Sequence, residues 1–183
     1  AAPMALKATI FKAELVVSDL DRGHFATHAL TIARHPSETD ERMMVRLLAF
    51  ALNADERLAF GRGLSSEGEA DLVLTDLTGA IDLWIDVGLP DEREIRKACG
   101  RAGRVAVYTY GTGAELWWRQ NAAAMERLAN AAVVEIPLEA TRAMAARAAR
   151  NMKLQCTIQD GHVWLADDET SIAIEPVVRK AAA

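Results

Sequence analysis

The chain has 183 residues, enough for one domain with a substantial core, and its 51% hydrophobic content excludes an intrinsically disordered protein. A formal net charge of -5 excludes a polyanion binder that works through overall charge, so any nucleic-acid contact has to come from a local basic patch. Neither a basic-then-apolar leader nor an apolar run of membrane-spanning length is present, which predicts a soluble cytoplasmic protein with no membrane contact. Cys99 and Cys156 lack metal-ligand spacing and read as two reduced, partly buried thiols. Ala1-Ala2-Pro3 ahead of Met4 reads as a vector remnant, leaving a single domain over residues 4–183.

In chain order, Phe11, Ala13, Leu15 and Val17 alternate with Lys12 and Glu14, and turn residues at 18–23 lead into a second β-like run over 24–33. Together they predict a long antiparallel hairpin. Pro36, a capping hydroxyl and early acids start a helix over about 37–54, with Met43, Met44, Leu47, Leu48 and Ala51 as its buried stripe. Glu38 reads as an acid placed to complement the helix dipole. A hairpin follows over 69–87, then a helix over 91–102 and a buried strand at 105–110. Next come a helix over 114–129 burying Trp118 and Met125, a strand at 133–138 and a helix over 138–150. The last hairpin turns at Asp160-Gly161, the strongest short turn signal in the chain. The expected architecture is one compact α/β domain with a mixed sheet, β-hairpins and flanking helices.

The central hairpin carries the chemistry. With Thr78-Gly79 as a two-residue turn, Asp86 falls opposite Asp71 and Asp82 opposite Thr75. Opposed side chains have Cβ atoms about 5 Å apart, close enough for two carboxylates to share one cation and costly without one. Asp82 lies about 13 Å from Asp86 along an extended strand and shares a metal with it only if a bulge bends the strand. Asp71 with Asp86 is therefore the metal pair, and Asp82 a weaker candidate.

Arg93, Lys97, Arg101 and Arg104 make a basic stripe on the following helix, with Arg96 beside it. Lys97 is placed to reach back toward Asp86 and activate a metal-bound water, while Arg93, Arg96 and Arg101 would hold phosphate oxygens. A solvated helix face paired with Glu92 and Glu94 is the competing reading. Glu41, at the edge of the buried stripe, either points into a cleft or is a boundary residue paired with a neighbouring arginine. His24 and His28 are four apart in a β-like run, a spacing that does not make a one-metal pair. Gly61-Arg62-Gly63 and Gly111-Thr112-Gly113 read as loops without a phosphate-binding signature.

The segments H-P-S-E-T-x-E-R-M-M at 35–44, I-D-L-W-I-D-V-G-L-P-D-E-R at 81–93 and T-I-Q-D-G at 157–161 resemble the YaeQ family of bacterial proteins, in collinear order over nearly the whole chain from Met4. That family is uncharacterised in function. The resemblance implies a fold similar to the PD-(D/E)XK restriction-endonuclease-like core, in which an acid-bearing helix precedes a β-hairpin, then a helix and a strand. By position it makes Glu41 the helix acid, Asp71 the first motif acid and Asp86 the second. Ala70 stands where that motif has proline, and Gly88 where it has lysine, so Lys97 would have to supply the missing cation. Two functions follow as expectations. One is a Mg2+-dependent nuclease, with Asp71 and Asp86 on the metal and Glu41 and Lys97 assisting. The other is a non-catalytic descendant that binds nucleic acid or a protein partner.

Overall fold

The alternation in the first part of the chain becomes a β-hairpin in the computed structural model, which describes residues 7–61 and 68–183. Ala1-Ala2-Pro3, and Arg62 and Gly63 of the first glycine loop, lie outside the described residues. Strand β1 (Thr9–Asp19) pairs antiparallel with β2 (His24–Arg34), from Thr9 opposite Arg34 to Asp19 opposite His24. Phe11, Ala13, Leu15 and Val17 face inward with Leu30 and Ile32. Pro36 precedes helix α1 (Asp40–Leu52), which is capped by Thr39, whose side chain accepts from the Arg42 N–H. The helix therefore begins three residues later than its acids suggest, and Glu38 lies just outside it. From Met43 to Ala51 every residue of α1 is buried, which marks a helix enclosed on all sides.

What encloses α1 differs from the expected single sheet. Strands β3 (Leu58–Phe60), β4 (Leu72–Thr75), β5 (Ile81–Val87), β6 (Ala102–Thr109) and β7 (Ala131–Glu135) belong to one sheet. Strands β8 (Asn151–Gln159), β9 (His162–Ala166) and β10 (Ser171–Ile174) join the first hairpin in another. With β11 (Val177–Lys180), the orders are β10-β9-β8-β1-β2 and β11-β7-β6-β5-β4-β3. Both sheets are mixed: β8 runs parallel to β1, and β5, β6 and β7 are parallel neighbours. Leu15, Ile32, Leu154 and Cys156 from one sheet share a core with α1 and with Leu72, Leu83 and Ile85 from the other. Helix α4 (Leu138–Ala146) completes this layer through Ala140 and Met144.

The opposite face of the second sheet holds a separate core. Trp84, Val105, Val107 and Val133 pack there on Ile95 and Ala98 of α2 (Glu92–Arg101) and on Trp117 and Met125 of α3 (Ala114–Glu126). Trp117, not Trp118, is the buried tryptophan of α3, and its indole N–H donates to the Pro90 carbonyl at 2.9 Å. Alternation along β5 thus sends Leu83, Ile85 and Val87 toward α1, and Trp84 and Asp86 toward α2. The final hairpin turns at Asp160 (φ 52°) and Gly161 (φ 77°), the left-handed pair that its sequence requires.

Candidate functional site

The pairing of β4 with β5 has the predicted register: Leu72 opposite Ile85, Val73 opposite Trp84 and Leu74 opposite Leu83. Continued by one residue, it brings Asp71 opposite Asp86 at the mouth of a cleft of about 360 Å³. The turn is different. Asp76 donates its N–H to Ala80 O at 2.9 Å and accepts the Gly79 N–H at 3.1 Å, with Gly79 at φ +87°. This is a three-residue loop closed by a left-handed glycine, not the expected Thr78-Gly79 pair. The Asp76 carboxylate stabilises it by accepting from the Thr78 N–H and hydroxyl and the Ala80 N–H. A bulge absorbs the extra residue: Thr75 pairs with Ile81, and Asp82 is left without a partner on β4. Its side chain is exposed and does not line the cleft, so Asp82 does not join Asp86.

Asp71 is buried, and its partner is one the spacing of charges does not predict. Arg42, on the first turn of α1, places Nη2 at 2.8 and 2.9 Å from the two Asp71 oxygens and 3.2 Å from Val87 O. The Val87 N–H also donates to Asp71 Oδ2 at 2.8 Å. Arg42 Nη1 lies 2.7 Å from Glu38 Oε2, and Glu38 in turn takes Arg46 Nε at 2.9 Å and Arg46 Nη2 at 2.5 Å. The Glu38 and Arg46 side chains are both fully buried. The dipole role expected for Glu38 therefore gives way to a buried ladder, Arg46–Glu38–Arg42–Asp71. The sequence does carry a sign of it: Arg46 interrupts an apolar helical run, and Glu38, Arg42 and Arg46 recur every four residues. A buried guanidinium demands a buried acid.

Asp86 stands outside this balance. Two cations and two anions in the ladder neutralise one another, and among the described residues Asp86 adds an unmatched charge beside Asp71. Burial and then the Asp71 charge push its carboxyl from the ordinary 3.8 up to about 6. The Trp84 indole N–H approaches Asp86 from two residues back but completes no hydrogen bond, and it is buried.

The basic stripe turns mostly to its own helix. Arg93 bonds Asp91, Arg96 bonds Glu92 at 3.1 Å, and Lys97 Nζ lies 3.4 Å from Glu94 with most of its side chain exposed. Lys97 does not line the cleft; Glu94 does. Only Arg101 approaches it, stacked 5.0 Å over the Trp84 ring and donating to Gly68 O at 3.1 Å. Gly88, at the motif's lysine position, has φ +111°, which strains any residue with a Cβ, so the glycine there is required by the backbone. Among the described residues Arg42 is the one cation lining the cleft, facing Glu69, Asp71, Asp86 and Glu94.

Glu41 points elsewhere. Its Oε2 accepts from the Thr141 hydroxyl of α4 at 2.9 Å, tying α1 to α4. Thr141→Val is expected to cost about 1 kcal/mol in urea denaturation. His24 and His28, whose spacing does not read as a one-metal pair, meet through their Nε2 atoms at 2.9 Å with ring centroids 5.2 Å apart. Those two distances place the rings head to head, the geometry of one shared proton and too close for an ion between them. Among the described residues no three His, Cys, Asp or Glu side chains are grouped to hold a metal, so an ion in the cleft would rest on two carboxylates with backbone or water oxygens.

A sequence model of the family described as YaeQ protein matches residues 4–176. The chain belongs to the YaeQ family. It is 51% identical over 172 residues to the uncharacterized protein YaeQ of Escherichia coli (strain K12), covering 93% of this chain and 95% of that one. Against the uncharacterized YaeQ of Salmonella typhi it is 50% identical over 173 residues, 94% and 96% of the two chains. The crystal structure of YaeQ from Xanthomonas axonopodis pv. citri is similar at a TM-score of 0.92 and 53% identity, covering 95% of this chain and 99% of that one. That from Pseudomonas syringae gives 0.91 at 36% identity, covering 95% and 97%. The YaeQ fold is thus the compact α/β arrangement of mixed sheets and flanking helices described above. No helix among the described residues is long and apolar enough to cross a membrane.

Proposed function

We propose that the cleft at the end of β5 is a Mg2+-dependent phosphodiester-hydrolysing site acting on nucleic acid, on a core of the PD-(D/E)XK kind. The order α1, β4–β5 hairpin, α2, β6 supports that likeness. The observation that carries the reading is the opposition of Asp71 and Asp86 in a cleft whose one cation among the described residues, Arg42, is bonded to Asp71 and not to Asp86. Carboxylate and carbonyl oxygens are the donors a hard divalent cation takes, and an acidic cleft repels phosphate unless a cation intervenes. Asp86 would hold the ion together with Asp71. When bound, such an ion would polarise a phosphoryl oxygen and make its bound water easier to deprotonate. Arg101, beside the cleft and braced on Trp84, is the residue of the basic helix best placed to meet a phosphate.

The non-catalytic reading, a descendant of the fold that binds nucleic acid or a protein partner, is favoured by two specific observations. Lys97 is engaged with Glu94, and Asp71 is already bonded to Arg42. A panel of single-strand, duplex, branched and flapped DNA and of RNA, run with Mg2+, separates the two. Cleavage that disappears in Asp71→Ala and Asp86→Ala but survives Lys97→Ala is the expected result. Cleavage that survives Asp86→Ala is contamination. No cleavage, together with no calorimetric Mg2+ or Mn2+ binding, leaves the non-catalytic reading.

A further inference from the structure

Arg42 does more than neutralise Asp71. Three oxygens converge on its Nη2: both of Asp71, at 2.8 and 2.9 Å, and the Val87 carbonyl, at 3.2 Å. Two carboxylate oxygens and a carbonyl at the end of one strand pair form a seat for a hard cation, and a guanidinium nitrogen occupies it. The other end of the same guanidinium is held independently, Nη1 on Glu38 Oε2 at 2.7 Å. Glu38 is itself fixed by two bonds from Arg46. Letting go of Asp71 therefore leaves Arg42 with a counter-charge and Glu38 still in place. Asp86, which also lines the cleft, has no cation bonded to it among the described residues.

We propose that Arg42 is a built-in, displaceable counter-cation that blocks the Asp71 side of the cleft, so that a divalent cation enters only when the guanidinium leaves Asp71 and stays on Glu38. This rests on the cleft being a cation site and adds how that site is closed. The arginine side chain is 13% exposed, so part of it already meets solvent.

Calorimetry with MnCl2 alone, on wild type, Arg42→Gln, Arg42→Lys and Arg42→Gln/Asp71→Asn, tests it. Arg42→Gln is expected to bind Mn2+ at least about tenfold more tightly than wild type, because a unit positive charge a few ångström from the ion is removed. Arg42→Lys, whose single ammonium cannot span Glu38 and Asp71 together, should bind more tightly than wild type too, and it keeps the test available if the glutamine variant does not fold. Adding Asp71→Asn should abolish the gain. Binding by Arg42→Gln with none by wild type means that the guanidinium blocks the seat without leaving it, which overturns a displaceable Arg42 together with the cation-dependent reading of the native protein. Tight binding by wild type that neither arginine variant improves overturns the proposal and leaves that reading standing. No Mn2+ binding by any variant overturns both.

Discussion

Asp86→Asn is expected to make the ion-free protein more stable at neutral pH, although it removes a residue proposed to hold the cation. In the unfolded chain this carboxyl ionises near 3.8, whereas in the fold burial and Asp71 raise it to about 6. Between those values the native state holds a proton that the unfolded state has released, so stability falls as pH rises through that window. Below it both states are protonated and Asp86 costs nothing; above it the cost is complete. At about 1.4 kcal/mol per pH unit the ceiling is about 3 kcal/mol. Asp86 keeps some contact with solvent, so a gain of about 1–2 kcal/mol is the expected size. Urea denaturation of wild type and variant near pH 4 and near pH 7.5 reads it directly: equal stability at the lower pH and a higher midpoint for the variant at the upper. A variant no more stable than wild type at pH 7.5 would mean that Asp86 is already compensated, and the case for a cation there would go with it. Mn2+ should act in the opposite sense, stabilising wild type above pH 6 and leaving Asp86→Asn unmoved, since only the ionised carboxylate attracts the ion.

How much of this was legible in the sequence depended on how local the forces are. The opposition of Asp71 to Asp86 follows from strand alternation, because a one-residue slip would have turned Leu72 and Ile85 out of the core. The turn itself was not legible, since Thr-Gly chooses weakly between two- and three-residue loops and the Asp76 carboxylate decides for the longer one. That choice produces the bulge that removes Asp82. Lys97 does not turn to the cleft because Glu94, three residues before it on the same helical face, takes its ammonium at 3.4 Å. Arg42's place in the cleft is hidden for a different reason: Asp71 and the Val87 carbonyl are 29 and 45 residues away, and only the folded chain brings them to it. Long-range pairing also hid the second sheet, which exists because β8 pairs with β1 across most of the chain, Lys12 opposite Asn151. The short strands β3, β10 and β11 carry too few residues to show a period.

Glu38→Gln is expected to be among the most destabilising single changes in the chain, at about 3–5 kcal/mol in urea denaturation, because it removes the one acid that two guanidinium groups share. Arg46 suffers most. Its side chain is fully buried, and its bonds beyond Glu38 reduce to the Ala33 carbonyl at 2.9 Å, with Nη1 already unpartnered. A glutamine of the same shape can accept one of those N–H groups but cannot offset the charge, and a buried unpaired guanidinium is far costlier than a buried neutral amide. Arg42 is less affected, because Asp71 still holds it, and the loss of Glu38 should draw it more firmly onto Asp71. If the cost lies in the stranded charge and not in lost packing, then Glu38→Gln/Arg46→Met, which deletes the acid and the base together, should be more stable than Glu38→Gln alone. Simple addition of the two single losses would instead assign the effect to packing around α1. In the double variant Arg42 is left as a lone clamp on Asp71, so its Mn2+ affinity should fall below that of wild type.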